Sequence, residues 1–424
     1  MRQTNSSMDA KGVNHRGDPG VSTDKHFAGL SPLPRQLSAF KKDSQVKKVH
    51  LAGREYYSED GNTYELRLIG KIKQQLNSDP TFRPEYPSPL GLRDFTQKAA
   101  EVTLGRNSRA ILERQVLGVQ TPGFSAAVRL GAELLRRLNS STGAWRGPVY
   151  LSSPCDDSLA GIFQAAGYRD IRGYYYWDDK QRGICLERLL GDLDTAPERS
   201  VVVLSASAHY PTGADLCQSQ WAVIAQLITK RKLFPFLLLP AQGLSYGDLE
   251  QDAWAVQYCA SRGMELICTQ SFSHCFGLYG EAVGHLLCIS KHTSFLQSEA
   301  DQIVRSLWAE PSAAGAHIVA TVFNNPAHFV EWHDEMQHMV ERCMLIRAVL
   351  KEKLRLLGTP GCWDHLTEQH GLFCRIGLSD QQIEFLSSRR HMYMLPSSCL
   401  NVSAINGCNL DYIAESIHQA LTTP

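Results

Sequence analysis

Five short apolar runs, GPVYLSS, SVVVLSAS, LFPFLLLP, MELICTQ and GHLLCIS, recur through the middle of the chain and constrain its fold more than any other feature. Each is bounded by turn residues and rich in β-branched or aromatic side chains, as buried strands are. Between them lie SAAVRLGAELLRRLN and QWAVIAQLITKRK, whose apolar residues repeat with the helical period. Alternating strands and helices build an α/β fold with a mostly parallel sheet, and ligands of such folds lie beyond the carboxyl ends of the strands. The fourth run leads into Ser271-Phe-Ser-His274-Cys275, so a site is expected at that turn.

A second long-range constraint is a helix expected from Pro326 to about Leu357. Asn325 is its N-cap, Pro326 takes the first helical position, and Gly358 and Pro360 stop it. Phe329, Met336, Cys343, Leu350 and Leu357 fall on one stripe. Such a helix, roughly 48 Å long, is too long for one small domain and is expected to lead into a smaller C-terminal one.

The 424 residues suffice for two domains, and 43% hydrophobic residues with a formal net charge of zero describe a soluble globular chain. Zero net charge supplies no field for nucleic acid or an anionic membrane, so neither is an expected partner. No apolar run reaches the ~18 residues of a membrane span, and the first twenty residues lack the apolar stretch of a signal peptide. The expected compartment is the cytoplasm. Twelve cysteines without a Cys-x-x-Cys pair argue against a structural zinc, and no metal site is expected. His328, His333 and His338 recur every five residues, which spreads them around the long helix.

The segments GVQTPGFSAAVRLGAELL, GPVYLSSP, AAGYRDIRGYYYWD, HYPTG, TQSFSHCFGLYGEAVG, AEPSAAGAHIVATV and MLPSSCLNVSAI, in this order from about residue 35 to the end, resemble aspartate aminotransferases of the cytoplasmic type, within the class I pyridoxal-phosphate-dependent family. The resemblance implies the fold-type I architecture: a large domain with a mostly parallel seven-stranded sheet, a smaller α/β domain, and a homodimer with sites at the subunit boundary. On that template, residues 1–44 form a disordered extension and N-terminal arm, 45–63 with 339–424 the small domain, and 64–338 the large one.

The family's chemistry requires a lysine amine to hold pyridoxal phosphate as a Schiff base and to move the α-proton. By the resemblance His274 occupies that position, and an imidazole cannot form the covalent link. Leu238 stands where the family pairs a carboxylate with the cofactor's ring nitrogen. Ala241 replaces a tyrosine and Tyr210 an asparagine that bond its phenolic oxygen, and Asp156 replaces the tryptophan stacked on its ring. At the phosphate end Phe124 replaces a glycine and Ala282 an arginine, leaving Ser125 and Ser271 as weaker hydroxyl partners. Losing one charge-assisted bond of roughly 1.5–3 kcal/mol weakens binding about ten- to a hundredfold.

Cys399 replaces the arginine for the substrate's α-carboxylate, and Arg54 a glycine near the substrate entrance. Arg305 and Tyr86 match residues that cross the dimer boundary, to the substrate's side-chain carboxylate and to the cofactor phosphate. The chain is therefore expected to be a catalytically inactive aminotransferase homologue, or pseudoenzyme, with covalent cofactor binding lost. It would act as a homodimer, or as a heterodimer with an active aminotransferase. The alternative is an active or weakly active aspartate/2-oxoglutarate aminotransferase.

Other readings stand beside these. His274 and Cys275 would form a nucleophilic pair only with an orienting third group, which the sequence does not supply. Asp156 and Asp157 read as a helix N-cap or as paired acid/base carboxylates. Leu238 and Leu239 suit the core of a parallel strand. Arg305 could pair locally, and Thr212 and Gly213 of HYPTG could shape a turn into the next helix.

Overall fold

The computed structural model describes residues 32–80, 85–142 and 147–423. Its centre is a seven-stranded sheet, whose strands are numbered here β1 (Val116–Pro122), β2 (Val149–Ser153), β3 (Ile171–Tyr175), β4 (Val201–Ser205), β5 (Phe234–Leu239), β6 (Leu266–Ser271) and β7 (Val283–Ile289). Their spatial order is β1-β7-β6-β5-β4-β2-β3. Only β7 runs antiparallel to its neighbours, which sets the carboxyl ends of β2, β4, β5 and β6 side by side. All five apolar runs form strands. The two strands they do not announce, β1 and β3, are the edges.

The sheet is covered on both faces. Helix Phe124–Thr142 packs on β1, β6 and β7, and helices Gln218–Lys230 and Leu249–Ser261 lie over the opposite face. Side chains alternate along β5: Phe236 and Leu238 join one core, Leu237 and Leu239 the other.

The long helix runs Pro326–Leu356, and the Asn325 carboxamide oxygen accepts from the backbone N–H of Ala327 and His328. Met336, Cys343 and Leu350 are buried on its stripe and Phe329 is partly buried. Leu357, placed on that stripe by the sequence, is instead the cap residue and 39% exposed, because the backbone turns at Gly358 with φ +64°. The two chain ends meet: Val49–His50 pairs with Met392–Tyr393, and Phe373–Arg375 pairs with Cys399–Asn401.

Within the segment read as a disordered extension and arm, Pro32–Lys42 is a helix. Residues 1–31 lie outside the described residues. No helix among the described residues is long and apolar enough to cross a membrane.

Candidate functional site

Where the parallel strands end, a cavity of about 200 Å³ opens. Ser152, Ser205, Leu238 and Ser271 from the strand ends form its floor, with Phe124 and Asp156 from the starts of two helices. Arg54, Tyr210, His274 and the segment His370–Phe373 complete the lining. The site therefore lies where a parallel sheet places ligands.

The turn carrying His274 is held from behind. Strand β6 ends at Ser271, Phe272 is buried, and Ser273–Phe276 makes one helical turn before Gly277 closes it in the left-handed region at φ +63°. The turn expected here is helical, with Cys275 and Phe276 buried in the core. Trp332 of the long helix donates its indole N–H to the Cys275 carbonyl at 2.8 Å and stacks on Phe276 with centroids 4.6 Å apart. His274 faces the cavity side. Its Nε2 lies 3.0 Å from the Arg54 carbonyl, which can only accept, so Nε2 carries the proton. That leaves Nδ1 as an acceptor, buried and without a partner. Burial lowers the pKa of the ring below the usual histidine value, so it is neutral at pH 7.

A Cys/His nucleophile is not what the geometry provides. The Cys275 thiol is buried, makes only a long contact to the Ser271 carbonyl, and is pushed up to about 12 by burial. Asp156 caps helix Asp157–Ala165, accepting from the Ser158 N–H at 2.8 Å and its hydroxyl at 2.6 Å. Leu238 is 7% exposed, at once part of the core and part of the floor.

The far wall depends on HYPTG. Thr212 shapes the expected turn, its Oγ1 accepting from the Ala214 N–H and lying 2.8 Å from His209 Nδ1. Gly213, at φ +67°, has a second duty that the sequence does not reveal. Its carbonyl accepts from the His370 N–H, and a Cβ there would stand 2.6 Å from the Phe373 carbonyl oxygen. Buried Arg347 fixes the same segment by donating to the Gly371 and Phe373 carbonyls at 2.8 and 3.0 Å. His370, Leu372 and Phe373 are thus lining residues without a local motif, since tertiary contacts alone bring them here.

Of the sequence-predicted cofactor and substrate residues, Ser125, Tyr210, Ser271 and His274 line the cavity together. Tyr210 packs edge-on against Phe373, with centroids 4.9 Å apart, and Cys399 is buried beside both. Tyr86 is 92% exposed, and Arg305 is an exposed residue paired with Asp301 one helical turn away at 2.7 Å. Neither lines the cavity of its own chain.

A model of the family described as Aminotransferase class I and II matches residues 46–417. The chain belongs to that family. It is 41% identical over 386 residues to the cytoplasmic aspartate aminotransferase of Gallus gallus, covering 90% of this chain and 94% of that protein. It is 35% identical to the corresponding protein of Caenorhabditis elegans, covering 93% and 98%. The broad specificity aminotransferase of Leishmania mexicana superposes with a TM-score of 0.87 at 31% identity, covering 93% of this chain and 96% of that one. An aromatic-amino-acid aminotransferase from Burkholderia pseudomallei, solved covalently bound to pyridoxal phosphate, superposes at 0.88 with 29% identity, covering 95% and 100%.

Membership in this family implies pyridoxal phosphate, but the residues of this aminotransferase homologue do not fit that group. No lysine is among the described residues lining the cavity. Leu238 offers the floor an alkyl group. At the start of helix Phe124–Thr142, Ala282 presents its methyl to the Gly123 turn, where a Cβ on Gly123 would stand 3.6 Å from it. A phosphate dianion would find backbone N–H groups and the Ser125 hydroxyl there, with a methyl group at residue 282.

Proposed function

We propose that this aspartate aminotransferase-like chain is catalytically silent, and that it acts in the cytoplasm through dimerisation or partner binding. The observation that carries this reading is the cavity without a lysine, in which His274 is the side chain at the expected tether. An imidazole can relay a proton but supplies no primary amine for a Schiff base. The ring's proton is committed to the Arg54 carbonyl, which weakens even the relay role.

Tyr86 and Arg305 support the dimer half of the proposal. Both stand at the surface, away from their own cavity, as residues serving a neighbouring subunit would. The expected assembly is a homodimer, and a mixed dimer with an active relative is the second form the same residues would allow.

The test adds pyridoxal phosphate to the purified chain, records the aldimine absorbance before and after borohydride, and assays aspartate/2-oxoglutarate turnover. No reduced adduct and no turnover are expected. His274→Lys alone is expected not to restore useful transamination, because Leu238, Ala282 and Cys399 remain. A borohydride-stable adduct on the natural chain would falsify the silent reading. Co-expression with a tagged active aminotransferase checks the partner: unchanged turnover and no co-purification would leave the homodimer alone.

A further inference from the structure

We infer that the cavity is a binding site for a small monocarboxylate carrying an apolar body of about one aromatic ring, with its carboxylate at Arg54. The inference rests on the reading that pyridoxal phosphate does not fill this space.

Size comes first. A dry cavity of ~150 Å³ is enough to admit benzene, and this one is about 200 Å³. Phe124, Leu159, Ile162, Val203, Leu238 and Phe373 give it apolar walls. Burying a single ring against such walls is a hydrophobic gain that a polar metabolite would forgo.

Charge then selects the head group. Among the described residues, Arg54 is the one Arg or Lys and Asp156 the one Asp or Glu lining the cavity. Asp156 Oδ1 accepts from both the N–H and the hydroxyl of Ser158, which orients this carboxylate as a helix cap. The exposed Arg54 makes no side-chain hydrogen bond or ion pair among the described residues, while its carbonyl is fixed by His274. His209, His274 and His370 face the same space, and burial lowers all three pKa values, those of His209 to about 3 and His370 to about 4, so they add no positive charge. One free guanidinium at the rim, beside a fixed carboxylate, suits one negative charge and disfavours a phosphate dianion.

The experiment uses the full chain with phenylacetate and indole-3-acetate as probes, and 2-phenylethanol as the uncharged control. Saturation-transfer NMR and calorimetric titration read the binding. Both acids are expected to bind, with 2-phenylethanol weaker. Arg54→Gln should weaken the acids about ten- to a hundredfold and leave the alcohol unchanged. Ala241→Phe, which fills the cavity, should abolish binding of all three. If that variant does not fold, the Arg54→Gln contrast still decides. Equal binding of acid and alcohol, insensitivity to Arg54→Gln, or no binding of the acids would overturn the inference. Pyridoxal phosphate is run in parallel with borohydride: a covalent adduct would sink the silent-enzyme reading, whereas no adduct and no acid binding would sink this inference alone.

Discussion

Two neighbouring polar regions meet at strand β6 and behave differently. On one side Gln270 belongs to a network wholly inside the protein. Its Oε1 lies 2.8 Å from His285 Nδ1, and its Nε2 donates to Thr103 Oγ1 at 2.7 Å and Gln242 Oε1 at 3.2 Å. Gln242 in turn donates to the Leu249 carbonyl. On the other side, one residue along, Ser271 faces the cavity with Leu238 and His274. The network's groups bond to each other, His285 Nε2 excepted, so burial is largely tolerated without a ligand. The cavity's residues include buried ring nitrogens with no partner, Nδ1 of His274 and of His370. The first region is met mostly by the chain's own groups, whereas the second lines a space that a small molecule could fill.

The scaffold side should therefore be costly to disturb. The largest effect is expected at Trp332, which is 1% exposed, stacks on Phe276 and donates to Cys275. Trp332→Ala should lower stability by about 3–5 kcal/mol in chemical denaturation. Gln270→Leu comes next, at about 3 kcal/mol, because it strands Thr103, Gln242 and the His285 ring, whose Nε2 already lacks a partner. A small effect at Gln270 would erase the distinction between the two sides.

Acid sharpens the same comparison. Burial pushes the pKa of His209 and of His285 down to about 3, against about 6.5 in the unfolded chain. Both rings stay neutral in the fold while the unfolded chain takes up protons, so their contribution is complete above about pH 6.5 and is lost as pH falls toward 3. Between pH 7.5 and 5.5 the two together should remove about 2–3 kcal/mol, read as a falling denaturant midpoint. Replacing either histidine should remove about 1.4 kcal/mol of the fall, since His365 and His370, pushed down to about 4, add to it as well. A midpoint that stays level over this range would mean that neither ring is held neutral by the fold.

The legibility of the molecule in its sequence follows the same division. Runs such as LFPFLLLP announce their strand because β5 is buried on both faces and needs no polar alternation. The edge strands escape notice for physical reasons: β3 exposes Arg172 and Gly173, and β1 carries Gln120 and Thr121 into polar buried positions. The cap at Asn325 and the N-cap at Asp156 are readable because a local side-chain bond creates them. His370 and Phe373 are not readable as site residues, since the docking of their segment on Gly213 and Arg347 is tertiary. The motif residues, by contrast, converge as the family order implies, with Phe124, Asp156, Tyr210, Leu238, Ala241 and His274 lining one space.

His274 is where the smallest effect is expected, although it is the residue on which the chemistry turns. Its Nδ1 has no partner to lose, and the single bond from Nε2 goes to the carbonyl of Arg54, an exposed residue that water can reach once the ring is gone. The turn does not need the ring for support, because Trp332, Cys275 and Phe276 hold it from behind. His274→Ala should therefore cost less than about 1 kcal/mol. If it cost as much as Trp332→Ala, the imidazole would be a structural plug that the turn needs for its stability.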